Sequence, residues 1–315
     1  MPGKSLWILG HGGFLGSALA REASLIGYRV FTKVPVPWGD ETERLSTLVS
    51  LATDFAEFAK GSVIRIIWAA GSQGVADSQP GVSAELDSFR DFVTAISGVQ
   101  ALQGARVTVV SSAGGVYSGS SAPPFTALSP VMAINQYGRN KIAVEEVAVG
   151  QLSTGFRLHI ARVTNLYGPW PGPRQGLINR LCTAAATREA LQIYVPLDTV
   201  RDYIYVGDAA QLILFELNRV ADSEGSKLGS VSLIGSGENT SIGSAIATVS
   251  NVTRRKVPVT MAVLDSTHLQ PRDLRMHPTW MDVEGDQAAS RFEPMTLSVG
   301  VKKLFDSLVT VPRWN

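Results

Sequence analysis

The sequence predicts an α/β protein whose first part is a doubly wound parallel sheet and whose C-terminal part is a smaller, mixed region. Short apolar runs rich in valine and isoleucine alternate with stretches of helical spacing from the first residues onward. Apolar runs without polar alternation are typical of strands buried on both faces, and regular strand–helix alternation indicates a parallel sheet covered by helices. This texture ends near residue 166, where the run GPWPGPRQG predicts a loop.

The individual elements follow from the spacing of apolar residues. In the second predicted helix, apolar residues recur at three- and four-residue spacing from Leu86 to Ile96. A helix at 208–218 and a strand at 231–236 are expected to return to the main sheet, and a strand at 47–52 is the expectation in the proline-interrupted stretch 34–60. The other predicted strands cover residues 6–9, 28–32, 63–70, 107–111 and 158–163, and the helices 14–26, 84–97 and 136–149.

Composition and charge exclude several classes of protein. The 315 residues carry a formal net charge of +1, so no field would attract nucleic acid or an anionic membrane. No apolar run reaches the ~20 residues that cross a bilayer, and no Cys/His spacing indicates a metal site. Cys182, the one cysteine of the sequence, is expected to fill core space. We therefore expect a cytoplasmic protein that binds neither nucleic acid, membrane nor metal.

The first predicted strand leads into GHGGFLG, a turn that is typical of dinucleotide binding. Gly10, Gly13 and Gly16 stand three residues apart. The first allows an unusual backbone conformation, the second lets the backbone approach a pyrophosphate, and the third lets the helix pack closely. The helix begins with Phe14 and Leu15, and its unpaired N–H groups favour an anion. We expect these five residues to bind a nicotinamide cofactor on a Rossmann sheet.

The choice between NAD and NADP is left open by the end of the second strand. An acidic residue that binds the ribose hydroxyls is usual there, but this chain has Thr32, Lys33 and Val34. Lys33 would suit a 2′-phosphate and would then favour NADP; alternatively it is a solvated surface lysine. NAD is the first expectation and NADP the second.

A tyrosine, a lysine and a serine form the candidate catalytic set. Tyr137 and Lys141 stand four residues apart on a predicted helix, which places both side chains on one face, where they would also contact the cofactor. The ammonium group would favour the phenolate of a side chain that is otherwise a poor base at neutral pH. Ser112 ends the preceding strand, at the edge where doubly wound sheets bind ligands. It is the first choice for the hydroxyl that binds the reacting oxygen, and Ser111 is the second.

A serine hydrolase is the competing interpretation of an exposed serine. The sequence contains no G-x-S-x-G elbow, and His159 lies within a predicted buried strand. Hydrolysis is therefore disfavoured.

Together these segments resemble the extended short-chain dehydrogenase/reductase family, in particular its branch of NAD-dependent sugar-nucleotide epimerases and dehydratases. WAAG, with Ala69 and Ala70 at the cofactor, is similar to a strand ending of the family, SSAGGVY to its serine segment and YGRNK to its Tyr-x-x-x-Lys pair. ARVTNLYGP, RDYIYVGDAA and PRDLR are similar to segments at the substrate, and the resemblance spans nearly the whole chain. It implies a nucleotide-sugar substrate whose pyrophosphate suits bidentate arginines. The implied substrate-binding residues are Ser111, Asn165, Tyr194, Arg201 and Arg272.

Within this branch the serine segment resembles the 4-epimerases that interconvert UDP-glucose and UDP-galactose. Ala113, Gly114 and Gly115 stand where the similar 4,6-dehydratases carry an Asp-Glu pair. The implied reaction is redox-neutral: Tyr137 takes a hydroxyl proton, hydride passes to the cofactor, the keto-sugar turns over, and hydride returns to its other face. An NADPH-dependent reductase of a keto-sugar nucleotide or another carbonyl compound is the alternative. A catalytically silent dinucleotide-binding regulator is a third hypothesis.

Domain organisation follows from the same segments. We expect residues 1–165, with 206–236 returning to them, to form the dinucleotide-binding domain, and residues 166–205 and 237–315 to form the substrate-binding region. The resemblance also implies a homodimer in which the helices at 84–97 and 136–149 pair across a two-fold axis. Their apolar stripes would equally suit contact with the sheet.

Overall fold

A parallel sheet of six strands lies at the centre of the computed structural model, which describes residues 3–71, 81–172, 176–219, 230–262, 270–282 and 292–310. The strands are β1 (Lys4–Leu9), β2 (Tyr28–Phe31), β3 (Val63–Trp68), β4 (Arg106–Ser112), β5 (Arg157–Val163), β6 (Asn165–Tyr167), β7 (Leu191–Ile193), β8 (Val200–Tyr205), β9 (Ser230–Ile234), β10 (Asn239–Ser241) and β11 (Val259–Met261). The helices are α1 (Phe14–Leu25), α2 (Glu41–Phe58), α3 (Gly81–Ser97), α4 (Ala113–Val116), α5 (Gln136–Leu152), α6 (Leu177–Thr187), α7 (Val206–Arg219), α8 (Ile242–Thr253) and α9 (Leu297–Thr310).

The order of strands in the large sheet is β2-β1-β3-β4-β5-β9, and neighbouring strands are parallel. The chain passes from β1 to β2 on one side and then to β3 on the other side of β1. The order therefore reverses between β1 and β3, and open α/β sheets bind ligands beyond the carboxyl ends of the strands at this switch point. The prediction of a doubly wound parallel sheet is confirmed.

Helices cover both faces of this sheet. On one face α2, α3 and α5 bury residues such as Phe55, Phe92 and Val144 against the strands. On the other face α1 and α7 bury Leu19 and Ile213. Since the strands are covered on both sides, β1 and the second half of β3 are apolar without alternation.

A smaller region carries the remaining strands and confirms the mixed C-terminal part. β8 pairs with β10 antiparallel and with β6 parallel, while β7 and β11 form a separate parallel pair. α6, α8 and α9 pack around a core of their own that includes Tyr167, Leu181 and Leu304. Cys182 is buried in this core, and burial raises the pKa of its thiol to about 12, as expected of core filler. The division of the chain into two domains stays a prediction.

The predicted strands and helices are present with small shifts at their ends. The helices expected at 14–26, 84–97 and 136–149 are α1, α3 and α5, of which α3 begins three residues earlier and α5 ends three residues later. The predicted return to the main sheet is also observed, since α7 packs on α1 and β9 pairs with β5. Within the predicted loop GPWPGPRQG, residues 173–175 lie outside the described part of the chain.

The strand expected at residues 47–52 is wrong, because these residues lie inside α2. The helix follows Asp40, whose side chain accepts a hydrogen bond from the Glu43 N–H at 2.8 Å. Leu48, Leu51 and Phe55 are buried at helical spacing. The prolines that interrupt the pattern belong to the preceding loop, so they do not limit the helix.

His159 lies in β5 with both ring nitrogens occupied. Nδ1 is 3.1 Å from Thr108 Oγ1 and Nε2 is 2.8 Å from Ser232 Oγ. Burial, with smaller contributions from the charges of Arg219 and Arg106, lowers the pKa of His159 to about 3. The ring is therefore a neutral part of the sheet.

This buried histidine predicts a pH dependence of stability. The unfolded chain binds a proton at His159 near pH 6.5, whereas the folded chain binds it only near pH 3. Its contribution to stability is therefore complete above about pH 6.5 and is lost as the pH falls towards 3. We expect His159→Gln to reduce the slope of unfolding free energy against pH, between about pH 6 and 4, by about 1.4 kcal/mol per pH unit. Urea unfolding at a series of pH values measures the slope, and an unchanged slope would contradict the prediction.

Candidate active site and cofactor cleft

The glycine-rich turn lies at the switch point, directly after β1. Gly10 has a φ of +86°, and a Cβ built on it would lie 2.7 Å from the carbonyl oxygen of Ala69. A Cβ on Gly16 would lie 2.0 Å from the Gly10 oxygen. Gly10 is therefore required for its backbone conformation and Gly16 for the closeness of α1 to the turn.

The first turn of α1 presents backbone groups rather than side chains. Gly13 is the N-cap, no side chain caps the helix, and no acidic residue lies in the first turn. The side chain of Leu15 is buried in the core, and the ring of Phe14 lies 5.5 Å from that of Trp170. Uncapped N–H groups at the positive end of a helix dipole fit a pyrophosphate.

Two clefts meet at this turn and share Gly10 and Trp38. One, of about 270 Å³, is lined by the turn, by Ala69 and Ala70 after β3, and by Glu85. The other, of about 230 Å³, lies at the end of β2. Together with the glycine turn they form a groove across the ends of the first three strands, which fits a dinucleotide.

Lys33 lies in the cleft at the end of β2. Its Nζ is 2.7 Å from Asp54 Oδ2 of α2, and the two side chains are 51% and 38% exposed. Because exposed ion pairs contribute only about 0–1 kcal/mol to stability, this contact with Asp54 does not prevent Lys33 from binding a ligand instead. No described carboxylate lines the same cleft.

α5 carries the predicted proton-transfer pair, and its lysine lies beside the cleft lined by Ala69, Ala70 and Glu85, called the cofactor cleft below. Tyr137 is half-buried in the first turn, and Lys141 is buried one turn later with Nζ 5.6 Å from the centre of the tyrosine ring. A Cβ built on Gly71, which lines the cleft, would lie 3.4 Å from that Nζ. The structure thus brings Tyr137 and Lys141 together, and it places the ammonium group beside the cleft.

The partner of Lys141 is Glu85 of α3, which the sequence analysis missed. Glu85 Oε1 lies 2.5 Å from Lys141 Nζ, and the side chains are only 6% and 10% exposed. Burial alone would lower the pKa of Lys141, but Glu85 and then Tyr137 more than offset it, so that the pKa lies above its usual value. The signal in the sequence was a carboxylate on the apolar stripe, at helical spacing from Phe89 and Phe92.

The two candidate serines have different surroundings. Ser112 is half-buried and caps α4, with its Oγ accepting a hydrogen bond from the Gly115 N–H at 3.2 Å. Ser111 is buried and donates to Glu145 Oε1 at 2.5 Å. The geometry therefore favours Ser112 as the hydroxyl that binds a reacting oxygen, and a substrate contact of Ser111 stays a prediction.

A close contact between α4 and α5 positions the tyrosine ring. A Cβ built on Gly115 would lie 3.0 Å from Cε1 of Tyr137, so the ring occupies the space that a side chain would need. Further along α5, Glu145 pairs with Arg162 of β5, with Nη2 of the arginine 2.7 Å from Oε2 of the glutamate. This buried ion pair ties α5 to β5.

Three of the predicted substrate residues line a further cleft of about 290 Å³: Asn165, Tyr194 and Arg201. Asn165 Nδ2 donates to the Asp202 carbonyl oxygen at 2.8 Å, and the Tyr194 hydroxyl donates to Gln192. The lining of this cleft also contains polar residues that no pattern in the sequence distinguishes. They are Arg180, Gln192 and Gln270.

Arg201 is a buried cation in this cleft, with 7% of its surface exposed. Burial lowers the pKa of its guanidinium group from the usual value. The carboxylate of Asp273 acts on it from a distance, but that carboxylate is bonded to Arg275 at 2.9 Å. No described carboxylate bonds Arg201 directly, so the group suits an anionic ligand.

Arg272 does not line this cleft. Its Nε lies 3.0 Å from Asp198 Oδ1, and the two side chains are 68% and 61% exposed. Arg201 and Arg272 are therefore not brought together in this structure, and the exposed pair with Asp198, like that of Lys33 with Asp54, is too weak to fix the arginine there. Phosphate binding by Arg272 stays a prediction.

The sequence model of the NAD dependent epimerase/dehydratase family matches residues 6–231, from β1 into β9. The chain belongs to this family. Within its described residues, no helix combines the length and apolar character that crossing a membrane requires, and no group of His, Cys, Asp or Glu side chains suits a metal ion.

Relatives of this chain include several UDP-glucose 4-epimerases. UDP-glucose 4-epimerase GEPI48 of Cyamopsis tetragonoloba is 25% identical over 300 residues, which cover 83% of this chain and 84% of that protein. Matches to several other UDP-glucose 4-epimerases span only about half of those proteins' lengths. The prediction of the family from its motifs is confirmed.

Solved structures share the fold. UDP-glucose 4-epimerase from Brucella ovis in complex with NAD superposes with a TM-score of 0.76 at 22% identity, over 96% of this chain and 98% of that chain. TunA, an NAD-dependent NDP-hexosamine 5,6-dehydratase involved in tunicamycin biosynthesis, gives 0.77 at 21% identity over 98% of both chains. Other structures with this fold were solved with NAD or with NADPH.

The glycine turn yields a prediction about cofactor binding. We expect Gly16→Ala to weaken NADH binding at least about tenfold, because the added methyl group would lie 2.0 Å from the Gly10 oxygen and must displace α1 from the turn. Gly12→Ala is the control in the same turn, since its Cβ meets nothing within 4 Å. Fluorescence titration with NADH measures both affinities, and circular dichroism checks the fold. Equal affinities in the two variants would contradict the assignment.

Proposed function

We propose that this protein is an NAD-dependent epimerase of a nucleotide-activated sugar, with Tyr137 as its proton acceptor and donor. The observation that carries the proposal is the buried ammonium group of Lys141, which lies 5.6 Å from the centre of the Tyr137 ring and beside Gly71 of the cofactor cleft. A buried cation beside a phenol favours the phenolate, and this is what proton removal from a sugar hydroxyl requires at neutral pH.

The chain's own residues divide the reaction among them. Lys141 stabilises the phenolate of Tyr137, which takes the proton of a sugar hydroxyl and later returns it. Ser112 donates a hydrogen bond to the same sugar oxygen, and Arg201 holds the pyrophosphate in the cleft that it lines with Asn165 and Tyr194. A bound NAD⁺ would accept a hydride from the sugar carbon and give it back to the opposite face, so that no cofactor is consumed.

The serine segment supports epimerisation over dehydration. Elimination of water needs an acid and a base beside the sugar, but α4 consists of Ala113, Gly114, Gly115 and Val116. TunA, which has the same fold, is a dehydratase, so the fold alone does not make this distinction. The activity for which the relatives are named, UDP-glucose 4-epimerase, agrees with epimerisation.

The test is an epimerase assay with a catalytic amount of NAD⁺ and a panel of UDP-, GDP- and dTDP-sugars. We expect one epimeric pair to interconvert without net formation of NADH. Tyr137→Phe should lower kcat by roughly 10²–10⁴-fold because the acid–base group is lost. Its NADH affinity should stay within about twofold of the wild type, as expected of an intact cleft. Full activity of the variant would contradict the proposed role of Tyr137.

An NADPH-dependent reductase is the second candidate, and Lys33 is the observation that favours it. The cleft at the end of β2 offers this lysine and, among its described residues, no carboxylate for a ribose 2′-hydroxyl. In the same assay, consumption of one NADPH for each keto-sugar nucleotide, with no epimer formed, would support the reductase and contradict the epimerase.

The substrate cleft gives a prediction of its own. We expect Arg201→Gln to weaken UDP binding roughly 10–100-fold, because charge-assisted hydrogen bonds from a buried group are worth about 1.5–3 kcal/mol. Arg272→Gln removes an exposed guanidinium already bonded to Asp198, so its loss should stay below about threefold. Isothermal titration of both variants with UDP measures this difference. A larger loss in Arg272→Gln would reverse the assignment.

We also propose a cytoplasmic homodimer. In each protomer, residues 1–165 with 206–236 would form the cofactor domain, and residues 166–205 and 237–315 the substrate-binding region. In the protomer, the apolar stripes of α3 and α5 face the sheet, where Phe89, Phe92 and Val144 are buried. A dimer through these helices would therefore use their outer faces, which expose Arg90 and Arg139. Light scattering of the purified protein gives the assembly state.

A further inference from the structure

Glu85 is a charged side chain in the cofactor cleft that the steps above leave unused. It projects from the buried face of α3, lines the cleft and lies 2.5 Å from Lys141 Nζ. A Cβ built on Gly71, on the other wall of the cleft, would lie 3.1 Å from its Oε1. The carboxylate thus stands at the point where the ammonium group meets the cleft.

The charges that face Lys141 come from two helices. Glu85 reaches it from α3, while Tyr137 and Glu145 reach it from α5. Glu145, however, is occupied by the guanidinium group of Arg162 and by the hydroxyl of Ser111. Glu85 is therefore the carboxylate that directly balances the ammonium group.

The contact with Glu85 changes how strongly Lys141 can stabilise a phenolate at Tyr137. A lone ammonium group would stabilise a phenolate at all times, with or without a cofactor. With Glu85 bonded to it, loss of the Tyr137 proton would leave two anions around one cation, which is unfavourable in a cleft of low dielectric constant. A second positive charge is then needed, and the oxidised nicotinamide ring is the one that the proposed reaction brings.

We propose that Glu85 is a positioning residue that holds Lys141 at the cleft and cancels part of its charge, so that Tyr137 loses its proton less readily than beside a lone ammonium group and more readily once the oxidised cofactor is bound. The inference rests on the proposed function for the identity of the cofactor. Its consequence is that removal of the Glu85 charge makes the Tyr137 proton easier to lose in the free protein.

The first test titrates the free protein, without cofactor or substrate. The ultraviolet absorbance of tyrosinate is followed against pH, and the curve of the matching Tyr137→Phe protein is subtracted. We expect Glu85→Gln to lower the midpoint for Tyr137 by about one pH unit, because the first proton leaves the Tyr137–Lys141 pair more easily once the carboxylate charge is removed. An unchanged or higher midpoint would overturn the proposal.

Glu146→Gln is the matched control. It removes the same charge from an exposed position on α5, five residues after Lys141. Its Tyr137 midpoint should stay within about 0.2 pH units of the wild type, because exposed charges are screened. An equal shift in both variants would reduce the effect to net charge and would also overturn the proposal.

The second test uses the wild-type protein, so it does not depend on the folding of a variant. Saturating NAD⁺ should lower the Tyr137 midpoint by about one pH unit or more, and NADH should leave it in place. A Tyr137 already ionised at neutral pH in the free protein would overturn the proposal. Since the first titration contains no cofactor, it decides the role of Glu85 even if the epimerase assay finds no turnover.

Discussion

The functional part of the structure depends on one contact between backbones. At the end of β1 the turn passes so close to Ala69 and to the first turn of α1 that no side chain fits between them. This contact lets the N-terminus of α1 face the switch point between β1 and β3, and it leaves the groove open along the strand ends. Lys33 after β2, Glu85 of α3 and Lys141 of α5 lie around this groove.

Buried charge is used in two different ways in this protein. Lys141 with Glu85 and Arg162 with Glu145 are closed pairs, and removing one member of such a pair leaves an uncompensated charge that is costly in the interior. They hold α5 against α3 and β5 and so orient Tyr137. Arg201 is the contrasting case, because no described carboxylate bonds it and its cleft is open to a ligand. The closed pairs orient the site, whereas Arg201 is the cation that we propose to bind an anionic ligand.

The segment matched by the family covers the whole described lining of the cofactor cleft but only part of the lining of the substrate cleft. The matched residues, 6–231, contain the turn, the Tyr137–Lys141 pair and Arg201. The substrate cleft also takes Ile242 and Gln270, which lie beyond the matched segment. The groove at the glycine turn and most of the lining of the substrate cleft therefore belong to the matched segment, and only these two described lining residues lie outside it.

The sequence by itself determined what depends on neighbouring residues. The glycine spacing, the apolar strands and the Tyr-x-x-x-Lys pair each act within one turn or one strand, so their pattern is visible along the chain. The exception is α2, where the sequence predicts a strand because a proline-rich loop precedes the helix. The tertiary structure decided which of two adjacent serines caps α4, that Arg272 pairs with Asp198 outside the cleft, and that Lys141 finds its partner 56 residues away in Glu85. These outcomes depend on which side chains meet across packed helices and strands, and no local spacing contains that information.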